Sequence, residues 1–463
     1  MKKISILFAA LLSINVMLQA QEAFAPKVIE WQKEKFGLFI HWGPSSITEK
    51  EISWSKETHP FDHPGRSVLH KTPDHVYNNL YKKFNPVDFD AEKIVKTAKQ
   101  AGMKYIIFTT KHHDGFSNFH TKLSEYSIEY TPYQKDICKE LADACKKHGL
   151  KIGWYYSTRD WYHPDYLVGD NKKYDDFYIG QIRELLTNYG EIFCLWFDHT
   201  AGDWTQYDFK GLFNMIYELQ PNIVVNNRAA KFIKKELLVT EPSEEVAKLV
   251  KGDFYTPEGK IGIFDSETPW ESCMPMSKGV NGRGGWSYLG RDAVTFNFNE
   301  CTQMLGACAS GCGNLLLNVG PMSNGKLRPS ELEVLQQFKP WMKKYKESVF
   351  GTECGPYISG QWGGACHKGN NTVYLHIYKW ANGQLTLPAL PRKVLNCEGL
   401  GEEKVSYTQT QDALTIKIAN AQKKANPHVV VKLTLEEGAS IDLIPTEEYV
   451  NKTQFDALED PMK

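Results

Sequence analysis

The stretch AEKIVKTAKQAGMKYIIFTT, residues 91–110, changes character at its glycine. Before it, Ile94, Val95, Ala98 and Ala101 recur at the spacing of one helical face. Gly102 ends the helix, and Lys104 to Thr109 follows as a short apolar run of the kind a strand buried on both faces carries. The same unit recurs three times. Asp136 to His148, with Ile137, Leu141, Ala144 and Cys145 on one face, passes through Gly149 into KIGWYYS (151–157). Tyr174 to Tyr189 passes through Gly190 into EIFCLWFD (191–198), and Leu212 to Gln220 passes through Pro221 into NIVVNNR (222–228).

Phe36–Ile40 precedes these units as a further strand candidate; Asp253–Thr256, Pro269–Met274 and Asn314–Val319 follow them. Eight strands alternating with helices predict an α/β fold, a (β/α)8 TIM-like barrel. An open doubly wound sheet would need a reversal of strand order and usually a phosphate loop. From about Gly351 helical periodicity stops. TVYLHIYKW (372–380), ALTIKIA (413–419) and VVVKLTL (429–435) predict a C-terminal antiparallel β-sandwich. With 463 residues the chain exceeds what one core usually organises, so the expected division is a barrel over 21–350 and a sandwich over 351–463.

Residues 1–20 read as a cleavable signal peptide: Lys2 and Lys3, a mostly apolar stretch from Ile4 to Leu18, then Leu18-Gln19-Ala20 before Gln21. That implies an exported bacterial protein, periplasmic or secreted. No later segment is long and apolar enough for membrane insertion. A net charge of −1 gives no general attraction for nucleic acid. Aromatic residues reach 13 %, with 12 Trp and 23 Tyr, which suits sugar faces as well as core packing. Of the ten cysteines, Cys138, Cys145, Cys194, Cys308 and Cys312 read as buried thiols, while Cys354, Cys366 and Cys397 leave room for one pair. No CxxC occurs, which argues against zinc.

Reacting groups of such a barrel gather at the C-terminal strand ends. Those positions hold His41, His112 with His113, Tyr155, Asp198, Arg228, Glu258, Glu271 and Asn318. Asp198 leaves the most apolar strand, where a carboxylate needs compensating hydrogen bonds or positive charge. Glu258 is a second carboxylate with suitable placement, and glycosidic bond cleavage needs such a pair. The histidines suit sugar hydroxyls, a structural role, or a metal. An extended backbone turns adjacent side chains to opposite faces, so a shared metal is not expected from His112 and His113. Arg228 reads as orienting or tuning an acid, or as an ordinary salt bridge. Trp54 and Trp196 suit a sugar face or the core.

FGLFIHWGP (36–44), YIIFTTKHHDGF (105–116), GWYYS (153–157), LWFD (195–198), NNR (226–228), DFYTPE (253–258), PWESC (269–273) and GNLLLNVGP (313–321) stand in order along the chain. Through most of residues 31–350 the sequence resembles the α-L-fucosidases of glycoside hydrolase family 29. The resemblance implies a retaining, exo-acting hydrolase of terminal α-L-fucosyl residues on glycans or glycoconjugates, with no cofactor and no metal. It implies Asp198 as nucleophile, Glu258 as acid and base, and His41, His112, His113, Tyr155, Trp196 and Arg228 lining the fucose pocket, with Trp54 closing it. Glu267 and Glu271 rival Glu258 for the acid. Two positions depart from the family: His199 stands where glycine is common, and Ser53 where some members carry a glutamate that touches the sugar. The alternatives are a barrel that binds carbohydrate without cleaving it, a metal-dependent hydrolase, and a hydrolase of a similar sugar such as galactose.

Overall fold

The computed structural model describes residues 24–57, 71–230, 242–279, 285–381, 383–419 and 428–446. The expected signal peptide lies outside the described residues. Helix α1 (Pro26–Lys33) comes first, then β1 (Phe36–Ile40), α2 (Ala91–Gln100), β2 (Tyr105–Lys111), α3 (Ile137–His148) and β3 (Lys151–Ser157). There follow α4 (Lys172–Thr187), β4 (Cys194–Asp198), α5 (Phe209–Leu219), β5 (Val224–Val225), α6 (Glu244–Val250), β6 (Glu271–Pro275), α7 (Phe298–Ser310), β7 (Asn314–Val319) and α8 (Pro329–Tyr345). Local chemistry explains the alternation. Asp90 and Asp136 cap α2 and α3 by accepting from the Lys93 and Lys139 amides. Gly102 and Gly149, at φ of +88° and +68°, supply the left-handed residues that turn the chain toward β2 and β3.

Seven parallel strands form one sheet in the order β5-β4-β3-β2-β1-β7-β6. The run Asp253–Thr256, expected as a regular strand, is not one. It joins its neighbours through isolated parallel bridges, Asn226 with Phe254 on the β5 side, and Tyr255 with Trp270 and Glu258 with Cys273 on the β6 side. Pro257 and Pro269 have no N–H to give, which interrupts a continuous ladder. The segment nevertheless occupies the eighth place and closes the barrel. Phe39, Tyr105, Ile107, Tyr155, Cys194, Trp196, Phe254 and Leu316 fill its interior with Trp31 of α1, whose ring stacks on Phe254 at 4.3 Å. A larger apolar layer lies between strands and helices.

Beyond α8 a five-stranded sheet runs in the order Glu353–Cys354, Gly363–Lys368, Thr372–Ile377, Val429–Leu435, Val394–Gly399. A three-stranded sheet, Gln384–Pro388, Ala413–Ala419 and Lys404–Gln409, shares with it one apolar core that includes Trp362, Leu375, Leu414 and Val431. Cys312, read from sequence as a buried thiol, is disulfide-bonded to Cys354. Cys312 follows α7 and Cys354 opens the sandwich, so residues distant in sequence meet where the two cores adjoin. Cys366 and Cys397 are thiols, as are Cys138, Cys145, Cys194 and Cys308. Among the described residues no helix is long and apolar enough to cross a membrane.

Candidate active site

The C-terminal strand ends converge on one guanidinium. Arg228, just past β5, is 1 % exposed, and the stave between β5 and β6 holds it: Nε donates to Thr256 Oγ1 at 2.6 Å and Nη2 to the Thr256 carbonyl at 3.0 Å. Its Nη1 donates to Asp198 Oδ1 at 2.9 Å and to Glu258 Oε2 at 2.8 Å. Both carboxylates therefore bind one nitrogen, which keeps those two oxygens within about 6 Å, nearer to a retaining than to an inverting spacing. Burial opposes the guanidinium charge, but Glu258 and Asp198 overcome this and raise its pKa.

Asp198 ends β4 and is 6 % exposed. Its Oδ2 accepts from the Tyr155 hydroxyl at 2.8 Å, and burial keeps that phenol far from ionising. Because side chains alternate along a strand, Trp196 lies inward as Asp198 does, one layer down. Its ring lies 4.6 Å beneath the Arg228 guanidinium and its Nε1 donates to Glu271 at 3.3 Å. Trp196 thus supports the charged pair from below.

Glu271 does not stand at a strand's C-terminal end as expected. It opens β6, inside the barrel, and accepts from Tyr105 as well as Trp196. Burial raises its pKa to about 7. Glu267 is exposed. Of the three candidate acids, only Glu258 shares a partner with Asp198.

The histidines line the pocket beside Tyr155 and Asp198. His41 Nδ1 donates to Asn318 Oδ1 at 2.7 Å, since Asn318 uses its amide to donate to the Trp286 carbonyl. Burial, partly offset by that bond, lowers the His41 pKa to about 4. The ring is therefore neutral at pH 7, with Nε2 left as an acceptor. His112 Nδ1 bonds Ser53 Oγ at 2.5 Å, and His113 Nδ1 bonds Ser157 Oγ at 2.6 Å.

The expectation that these adjacent rings would part is overturned. β2 ends at Lys111, and the following turn brings the two ring centroids within 3.9 Å. One ligand atom each from His113, Asp198 and His199 lies within 4.8 Å of the others, a buried cluster of metal-type donors. Trp54 is 2 % exposed and meets His113 edge-on at 5.5 Å, beside Trp161.

Two contributors escaped the sequence reading. Trp286 approaches His41 at 5.0 Å, on a loop whose amide donates to Glu51. A lone aromatic in an irregular loop carries no periodic signal. Ser157, the last residue of β3, was hidden inside a strand motif.

The sequence matches the family described as Alpha-L-fucosidase over residues 17–347. Alpha-L-fucosidase isoenzyme 1 from Paenibacillus thiaminolyticus is 31 % identical with a TM-score of 0.74, covering 89 % of this chain and 99 % of that one. A Bacteroides thetaiotaomicron alpha-L-fucosidase, solved as a trapped covalent intermediate with 2-fluoro-fucosyl fluoride in a Glu-to-Gln mutant, shares the fold at 24 % identity. Its TM-score is 0.73, over 90 % of this chain and 97 % of that one. Alpha-L-fucosidase 1 of Arabidopsis thaliana is 27 % identical over 70 % of this chain, which spans 60 % of the plant protein's length. With the family pattern covering most of its length, the chain belongs to the alpha-L-fucosidase family.

Proposed function

We propose that this protein is a retaining, exo-acting α-L-fucosidase that removes terminal α-L-fucosyl residues from oligosaccharides or glycoconjugates. The observation that carries the reading is the pair of carboxylates bound to one buried guanidinium nitrogen. Asp198 attacks the anomeric carbon, while Glu258 delivers a proton to the leaving oxygen. A glycosyl ester forms on Asp198. Glu258, now ionised, takes a proton from water, which opens the ester with a second inversion and so restores the original configuration. The covalent intermediate trapped in the Bacteroides protein supports the same course here.

Arg228 and the Tyr155 hydroxyl hold the Asp198 carboxylate in place by one hydrogen bond on each oxygen. Neutral His41, together with His112 and His113, offers hydrogen bonds to sugar hydroxyls, with Trp54 closing the pocket and Trp196 bracing Arg228 from below. The burial of Asp198, His112 and His113 suits a terminal residue held in a closed pocket better than an internal one. The sequence features of residues 1–20 and the Cys312–Cys354 bond favour an exported protein in an oxidising compartment.

Replacing Asp198 by Gly tests the reading. Turnover of an aryl α-L-fucoside should fall by about a thousandfold or more. Added azide should restore it, giving the β-fucosyl azide by a single displacement into the vacated space. An unchanged rate, or wild-type preference for aryl galactosides in a glycoside panel, would overturn the proposal.

A further inference from the structure

His199 follows Asp198 with a backbone φ of +59°, a conformation that side chains rarely adopt. It is 4 % exposed, its ring held edge-on against His113 at 4.6 Å and against Trp54 at 5.8 Å. Its Nε2 lies 3.8 Å from Asp198 Oδ2, and the Nε2 of His113 lies 4.0 Å from the same oxygen. These gaps exceed a direct hydrogen bond. A single oxygen seated above the three atoms reaches each at about 2.8 Å, an ordinary hydrogen-bond length. A zinc ion fits less well. Zn–N bonds of about 2.0–2.1 Å in tetrahedral geometry hold ligand atoms roughly 3.3 Å apart, closer than this set. The guanidinium of Arg228, 2.9 Å from the other oxygen of the same carboxylate, also repels a dication.

The occupant that fits is a hydroxyl, which donates one proton and accepts another. Imidazole nitrogens and a carboxylate provide for both. On a sugar whose anomeric carbon faces Asp198, the nearest hydroxyl is the one on C2. Contacts to that group strengthen as positive charge develops on the ring. We infer that His113, Asp198 and His199 form a binding site for the C2 hydroxyl, with His199 as a specificity-determining contact. This rests on the fucosidase reading given above. It makes a free C2 hydroxyl a requirement: fucosides methylated or acetylated at that oxygen are refused.

The test uses an aryl α-L-fucoside, its 2-deoxy analogue and its 2-O-methyl analogue, with wild type, His199→Gly and His199→Asn. Both replacements tolerate a positive φ. In the glycine variant, kcat/KM for the parent should fall at least tenfold more than for the 2-deoxy compound. The 2-O-methyl compound, inert with wild type, should gain turnover. Asparagine, which keeps a hydrogen-bonding group, should recover part of the loss. Because the parent and 2-deoxy rates come from the same protein preparation, impaired folding cancels from the ratio. Equal losses on both substrates would overturn the inference, as would wild-type activity that vanishes with chelator and returns with Zn²⁺. If the wild type ignores fucosides but cleaves another glycoside, the fucosidase reading fails. The same comparison on that sugar's 2-deoxy form still decides the role of His199.

Discussion

Asp198 Oδ2 holds a hydrogen bond from a phenol that does not ionise, and a bond to a charged acceptor contributes about 1.5–3 kcal/mol. Tyr155→Phe should therefore lower kcat/KM by roughly ten- to a hundredfold while the fold is kept, which steady-state kinetics and a melting curve together can establish. Glu258→Ala should slow substrates with poor leaving groups far more than activated aryl ones, because only the former need the proton. The shared Arg228 nitrogen links the two steps of the proposed reaction. Once the ester removes the charge of Asp198, Glu258 is the one charged partner left on that nitrogen. Glu271 gives a different test. Burial raises its folded pKa from an ordinary 4.5 to about 7, so the folded state binds more protons between those pH values. Stability must fall as pH rises through that window, by up to about 3 kcal/mol. Denaturant melts of wild type and Glu271→Gln from pH 5 to 8 should show the gap shifting toward the variant as pH rises. The position of Asp198 at a strand's end was legible in sequence. Its partners were less so, since the convergence of Asp198, Glu258 and Arg228 depends on three separate staves.

Elements marked by period and punctuation could be read directly. The helical face of Ile94, Val95 and Ala98 and the stop at Gly102 appear where the sequence puts them. The stave from Asp253 to Glu258 could not be, because its pairing passes around two prolines and uses single bridges rather than a ladder. The ends of β2 and β6 were likewise unmarked, and this misled the reading of His112, His113 and Glu271. An error of a single residue in strand register reverses which way a side chain faces, and beyond the strand's end the alternation no longer holds. Helix α1 has consequences beyond its length. Trp31 packs on Phe254, within the irregular stave that carries Thr256 and Glu258. Trp31→Ala should cost about 3–5 kcal/mol, and it should lower fucoside turnover as well as stability. Unchanged kinetics in the surviving folded fraction would separate the floor of the barrel from its mouth.

At the scale of the molecule, barrel and sandwich were legible as two patterns, helical period against alternation. Their junction was not, because pairing among ten cysteines is not encoded in spacing. Cys312→Ser with Cys354→Ser should lower stability by about 2–4 kcal/mol, with little change in kcat because Cys312 precedes the start of β7, at the end of that strand away from Asn318. Calorimetry with and without reductant checks this. The bond spans a sequence separation of 42 residues, and the enclosed stretch contains β7 and α8. β7 pairs with β1 on one side and β6 on the other, and it carries Asn318, the anchor of His41. The barrel's last strand is thus tied by a covalent loop to the first strand of the neighbouring sheet. With the bond closed the two bodies should melt together, and with it reduced the C-terminal layers should loosen first, so durability is set by the redox state of the medium.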